Sequence, residues 1–209
     1  MKGKTKIKGI YVIADFGIIK DSPFEYILET ILESGIDAIQ IRDKESDTHT
    51  LYKRALKIKK ITEKYRIPLI INDRLDIAIA VDADGVHLGQ KDLPVQVARE
   101  ILGDDKIIGL SASNLEESLK GERAGADYLG VGCLFFTDTK KDTRKVTVEM
   151  IKRIKERVKI PVIAIGGINK RNLGEIKGNV DGVAVASAIF KSDNIKRETL
   201  ELVESFWKG

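Results

Sequence analysis

A chain of 209 residues with 36 basic and 32 acidic side chains, net charge +4 and 43% hydrophobic residues has the composition of a globular domain with an apolar interior. Its basic residues are interspersed with acids, which argues against nucleic acid as a partner, and no apolar run approaches the roughly 18 residues that suggest a membrane span. The single cysteine, Cys133, excludes an intramolecular disulfide and a cysteine-rich metal site, and without a signal-peptide pattern in Met1–Lys8 the chain reads as cytoplasmic.

In chain order, short β-rich runs alternate with longer amphipathic ones. Ile10–Ala14 predicts a strand, and Asp21-Ser22 ahead of Pro23 predicts a capped helix over Pro23–Ser34. Strand Ala38–Arg42 precedes a helix over Thr48–Tyr65, whose Leu51, Ala55, Ile58 and Ile61 keep a helical period beneath a solvated face of lysines. Next come strand Leu69–Asn72 with helix Asp73–Ala80, strand Gly85–Leu88 with helix Pro94–Leu102, and strand Ile107–Ser111. The helix Leu115–Ala124 then begins at a cap on Ser113 or Asn114, with Glu116 and Glu117 facing the dipole. Strand Tyr128–Val131 with helix Thr147–Val158, strand Val162–Ile165 with helix Asn169–Ile176, and strand Gly182–Ala186 with helix Ile195–Trp207 complete eight units. Eight consecutive units without a long polar linker favour a closed barrel. An open doubly wound sheet usually has about six strands and a glycine fingerprint after the first, which Ala14-Asp15-Phe16-Gly17 is not. The predicted fold is α/β, a single-domain (β/α)8 TIM barrel over residues 1–209.

Functional groups of such a barrel gather just after the strands. Gln40, Arg42 and Lys44 alternate along extended chain, so they share a face that suits a multiply charged phosphate; the competing reading pairs the two cations with Asp43 and Glu45. Asp73 and Asp92 follow neighbouring strands and could share one hard cation such as Mg²⁺, or else cap the helices that follow them. Gly166-Gly167 and Ala186-Ser187 follow strands seven and eight, where barrels often bind phosphate through backbone N–H groups, and predict a second anion site.

Together, Gln40-Ile41-Arg42-Asp43-Lys44, Asn72-Asp73, His87-Leu88-Gly89-Gln90 with Asp92, Gly109-Leu110-Ser111, Thr137-Asp138-Thr139-Lys140, Ala164-Ile165-Gly166-Gly167-Ile168 and Ala186-Ser187-Ala188-Ile189 closely resemble the thiamine-phosphate synthase family over nearly the whole chain. The resemblance implies a transferase of thiamine biosynthesis that joins two small phosphorylated substrates, a pyrimidine diphosphate and a thiazole phosphate, with release of diphosphate. It places the pyrimidine diphosphate against Gln40, Ile41, Arg42, Asp43, Lys44, Asn72, Ser111 and Lys140, one Mg²⁺ per subunit on Asp73 and Asp92, and the thiazole phosphate on Thr137, Asp138, Thr139, Gly167, Ala186 and Ser187. Arg42, Lys44, Ser111 and Lys140 are the implied catalytic set. Such a reaction is dissociative: diphosphate leaves the pyrimidine methylene and the thiazole nitrogen captures the cation. A homo-oligomer is left open.

The chain departs from the family pattern at Cys133 and Phe136, where prolines are usual, and at Thr143-Arg144-Lys145-Val146, which lacks the usual Pro-Gly character. Cys133 without an evident histidine partner reads as a packing residue rather than a nucleophile, and His87, inside a strand, as a packed and hydrogen-bonded one. Two rival functions stand beside the synthase: a thiazole tautomerase, which typically lacks the paired carboxylates, and a non-catalytic phosphate-ligand sensor, for which the strand-seven and strand-eight site would suffice.

Overall fold

Side-chain alternation along the strands sorts the apolar residues into two sets. On β1 (Gly9–Asp15), Ile10, Val12 and Ala14 join the larger core, whereas Tyr11 and Ile13 join a smaller one. The same split recurs on β2 (Ala38–Arg42), β3 (Leu69–Asn72), β5 (Ile107–Ala112), β6 (Tyr128–Gly132), β7 (Val162–Ile165) and β8 (Gly182–Val185). On β4 (Gly85–Leu88), Val86 and Leu88 belong to the larger set, which turns Gly85 and His87 to the other face. All eight strands are parallel and hydrogen-bonded in chain order, with β1 closing on β8 through pairs such as Ile10 with Val183. The larger set therefore lies between sheet and helices, and the smaller fills the barrel. The computed structural model describes residues 5–19, 24–137 and 144–208.

Helices α1 (Phe24–Glu33), α2 (Thr48–Tyr65), α3 (Leu75–Ala80), α4 (Val95–Leu102), α5 (Leu115–Arg123), α6 (Val148–Lys155), α7 (Ser187–Phe190) and α8 (Ile195–Trp207) supply the outer wall. Each turns an apolar stripe inward, as with Leu28 and Ile31 of α1, or Ile151 and Ile154 of α6. Each such side chain contributes about 1.5–3 kcal/mol by burial. The cap predicted at Ser113-Asn114 forms reciprocally: Asn114 Oδ1 accepts the Glu117 N–H at 2.8 Å, and Glu117 Oε2 accepts the Ser113 N–H at 2.8 Å.

One device repeats four times at the N-terminal end of the barrel. An aspartate immediately precedes each even-numbered strand, and its carboxylate accepts an N–H from the strand before: Asp37 from Ile10 (2.8 Å), Asp84 from Leu69 (2.9 Å), Asp127 from Ile108 (2.8 Å) and Asp181 from Val162 (2.8 Å). The backbone N–H of each aspartate returns a bond to the carbonyl of the same residue. This two-point clamp fixes register between β1 and β2, β3 and β4, β5 and β6, and β7 and β8. Lys59, Arg99 and Lys155 pair with the second, third and fourth carboxylates.

Three sequence expectations need correction. The helix expected over Asn169–Ile176 is instead two short 3-10 turns, Leu173–Glu175 and Lys177–Asn179. Asn169 Oδ1 accepts the Arg171 N–H, Asn172 Oδ1 accepts the Asn169 N–H, and both amides donate to the Gly167 carbonyl, so side chains satisfy backbone groups that a helix would have used. The helix expected from Asp73 begins only at Leu75, since Asp73 adopts a left-handed φ of 61° that no helix continues. A four-residue helix, α7, follows β8 where none was predicted. The cap expected at Asp21-Ser22-Pro23 lies outside the described residues.

Candidate active site

Among the described residues, the polar side chains singled out in the sequence lie at or near the C-terminal ends of the strands. On β2, Gln40 faces the barrel interior, 3% exposed, and its Nε2 donates to Tyr11 Oη at 2.7 Å. Arg42, at the end of the same strand, reaches across to β1, where Nη1 donates to Asp15 Oδ2 at 2.5 Å. Lys44 Nζ pairs with Asp73 after β3. Alternation puts Gln40 and Arg42 on one face of β2, whereas Lys44 lies in the bend beyond the strand and is placed by Asp73; the pairing of the two cations with Asp43 and Glu45 does not occur. Asp43 instead accepts the Ser46 N–H at 3.0 Å and pairs with Arg54 of α2, which holds the β2–α2 loop in shape. Ile41 packs outward in the helix-facing core at 1% exposure, so only its backbone can meet a ligand at the mouth.

Asn72 ends β3 opposite His87 of β4. Neither Asp73 nor Asp92 caps a helix. The first residue before α3 is Arg74 and the one before α4 is Pro94, each without a side-chain cap bond. Asp92 Oδ2 accepts the Gly89 N–H at 2.6 Å, and the chain reversal at Asp73 turns its carboxylate toward Lys44. The two carboxylates meet: burial first, and then the Asp73 carboxylate beside it, raise the Asp92 carboxyl above its ordinary range. Two adjacent carboxylates on neighbouring loops could hold one hard cation such as Mg²⁺, which takes water and substrate phosphate as its remaining ligands.

Ser111 of β5 faces inward; its Oγ lies 2.9 Å from His87 Nε2, and its carbonyl accepts from Gln90 Nε2 at 2.7 Å. Beyond β7, Gly166 and Gly167 have φ of 105° and 63°, and a Cβ on Gly167 would lie 2.4 Å from the Phe136 carbonyl oxygen. This contact presses the loop after β6 onto the loop after β7 and requires glycine. Ala186 and Ser187 form the start of α7, with the Ala186 carbonyl accepting from Ile189 and Phe190. Thr137 is half-buried at the end of that β6 loop. Asp138, Thr139 and Lys140 lie outside the described residues. Cys133 is buried and donates to the Phe135 carbonyl at 2.9 Å, as its packing reading requires.

Sequence reasoning missed Asp15, Tyr11 and Tyr128. Asp15 is 3% exposed and anchors Arg42; Tyr11 and Tyr128 are fully enclosed and touch through their hydroxyls at 2.9 Å. The available signal was polar residues on inward-facing strand positions, which are costly unless partnered. His87 was read correctly as packed and hydrogen-bonded.

Comparison with known proteins identifies the family and agrees with the fold. Residues 10–189 match the family model described as thiamine monophosphate synthase. The chain is 49% identical over 207 residues to the thiamine-phosphate synthase of Clostridium botulinum, covering 98% of this chain and 97% of that one. It is 50% identical over 188 residues to the thiamine-phosphate synthase of Clostridium acetobutylicum, covering 90% and 89%. Among solved structures, the thiamine phosphate pyrophosphorylase of Pyrococcus furiosus superimposes with a TM-score of 0.86 at 42% identity over 95% of each chain. With a barrel of the same shape and a family match along most of its length, the chain belongs to the thiamine monophosphate synthase family.

Proposed function

We propose that this chain, as one catalytic domain over residues 1–209, joins an aminopyrimidine methyl diphosphate to a thiazole phosphate, giving thiamine phosphate and diphosphate. The observation that carries the reading is the convergence at one rim of a facing carboxylate pair, Asp73 and Asp92, with Lys44 and Arg42. A binder of a single phosphate, or a tautomerase acting on the thiazole alone, has no use for a carboxylate pair beside two cations.

In the balanced reaction the methylene–oxygen bond breaks, its electron pair leaves with diphosphate, and the thiazole nitrogen supplies the pair for the new carbon–nitrogen bond. No proton need move, so the protein's task is charge neutralisation and alignment. Arg42, set by Asp15, and Lys44, set by Asp73, face the departing diphosphate. Mg²⁺ held by Asp73 and Asp92 would supply further neutralisation of the leaving oxygens. Gln40, Asn72 and Ser111 line the inner pocket where the pyrimidine ring sits. Gly167, Ala186 and Ser187 offer backbone to the thiazole phosphate, with Thr137 at the loop between the two halves.

No described helix is long and apolar enough to cross a membrane, and both proposed substrates are small and charged. The test is to mix purified protein with both substrates and Mg²⁺ and to follow diphosphate and thiamine phosphate together. Equimolar formation of the two supports the synthase; binding of both substrates without product would leave the sensor as the correct description.

A further inference from the structure

Five strands each contribute one side chain to a hydrogen-bonded chain that crosses the barrel beneath the rim. Gln40 Nε2 donates to Tyr11 Oη at 2.7 Å, Tyr11 Oη lies 2.9 Å from Tyr128 Oη, Tyr128 Oη lies 2.9 Å from His87 Nδ1, and His87 Nε2 lies 2.9 Å from Ser111 Oγ. The backbone is cut away to admit the rings. A Cβ on Gly109 would lie 2.1 Å from Tyr128 Cζ, and one on Gly130 would lie 2.9 Å from His87 Cε1. Only the two ends, Gln40 and Ser111, belong to the substrate-facing set.

Proton counting gives the chain a direction. Each hydroxyl has one proton to donate, and a neutral imidazole has one. With the Gln40 amide donating to Tyr11, the Tyr11 proton goes to Tyr128 and the Tyr128 proton goes to His87 Nδ1. The ring proton then sits on Nε2 and goes to Ser111 Oγ, which turns the Ser111 proton outward. The mouth thus meets an acceptor, Gln40 Oε1, on one side and a donor, the Ser111 hydroxyl, on the other. Burial, the largest influence on both phenols, raises Tyr11 and Tyr128 above the ordinary tyrosine range and keeps their protons in place. Reversing one end alone would set donor against donor, or acceptor against acceptor, inside a closed interior.

We propose that Tyr11, Tyr128 and His87 are positioning residues that fix this acceptor–donor pattern, and so make the pocket select an aminopyrimidine over its oxo counterpart. The inference rests on the reading that the pyrimidine ring binds against Gln40 and Ser111. The exocyclic amine donates to Gln40 Oε1 and a ring nitrogen accepts from Ser111. An oxo group in place of the amine brings an acceptor to an acceptor.

Two measurements test it. Nitrogen-15 NMR of a His49→Gln protein, which leaves His87 as its one imidazole, reads the tautomer without reference to catalysis. The Nε2–H form is expected at neutral pH, and an Nδ1–H form or an imidazolium overturns the relay. The second measurement is the ratio of kcat/KM for the amino and oxo pyrimidine diphosphates. Wild-type protein should prefer the amine on the order of 10²-fold or more. Tyr128→Phe, which keeps the ring beside Gly109, should cut that preference at least about tenfold; Tyr11→Phe cuts the same chain one step away if Tyr128→Phe fails to fold. A purely structural role would slow both substrates alike, so an unchanged ratio overturns the proposal. If wild-type protein makes no thiamine phosphate at all, the proposed function fails, while the tautomer still decides the relay.

Discussion

In the proposed function Arg42 joins the fold to the chemistry, and removing it should damage both by separable amounts. Asp15 has a side chain only 4% exposed, and its partners are the Arg42 guanidinium at 2.5 Å and the Gly17 N–H at 3.0 Å. Arg42→Ala strands that carboxylate. Breaking a fully buried pair costs about 3–5 kcal/mol, and because Arg42 remains 20% exposed, solvent screening brings the expected loss down to about 2 kcal/mol. At about 2–4 °C per kcal/mol for a chain of this size, Tm should fall by about 4–8 °C. Turnover should fall on the order of 10²–10³, the scale of losing one charge-stabilising donor at a developing anion. The double variant Asp15→Asn with Arg42→Met removes both charges together and should regain most of the lost stability while turnover stays low. Thermal melts read the first effect, and diphosphate release at saturating substrates reads the second. An Arg42→Ala protein that melts with the wild type, or a double variant that recovers turnover, would refute the reasoning.

Gly109→Ala should lose about 1–3 kcal/mol in a denaturant melt and shift the Tyr128 ring, because its Cβ would lie 2.1 Å from Tyr128 Cζ. Asp92→Asn keeps an acceptor for the Gly89 N–H and removes the charge facing Asp73, so stability should hold while Mg²⁺-dependent binding of diphosphate, measured by calorimetry, weakens on the order of 10²-fold. For Asp37, burial raises the carboxyl pKa, opposed by the Ile10 N–H. A folded value above the unfolded one means the folded state holds the proton longer, so this group's contribution to stability declines as pH rises from about 4 through the raised value. Asp37→Asn should remove that portion of the pH dependence and be at least as stable as wild type at pH 7.

The barrel was legible because each strand carries β-branched residues on alternating or fully buried positions, and four strands, β2, β3, β4 and β7, have the bounds that the sequence predicts. The placement of the described polar residues near the strand ends was legible for a related reason, since it follows from where the strands stop. Partnerships were not. That Arg42 would find Asp15 rather than Asp43 depends on β1 and β2 lying in register, with Asp15 opposite Arg42. The Tyr11–Tyr128 contact was missed because a sequence separation of 117 residues hides it. Its trace was the pair of glycines, Gly109 and Gly130, on inward positions of neighbouring strands. The failed helix at Asn169–Ile176 shows the limit of periodicity, since two asparagines with amides in reach of Gly167 outweighed a pattern that favoured helix only weakly.

The two ends of the barrel use aspartate differently. At the N-terminal end each aspartate is tied to the neighbouring strand by two bonds, one accepted by its carboxylate and one donated by its own backbone N–H, and in three of four cases a cation neutralises the carboxylate. At the C-terminal end Asp73 sits at φ 61°, a conformation costing on the order of 1 kcal/mol for a residue other than glycine, and although it pairs with Lys44 it also faces Asp92 against like-charge repulsion. Neither feature helps the chain fold. In the proposed function a cation between the two carboxylates would offset their repulsion.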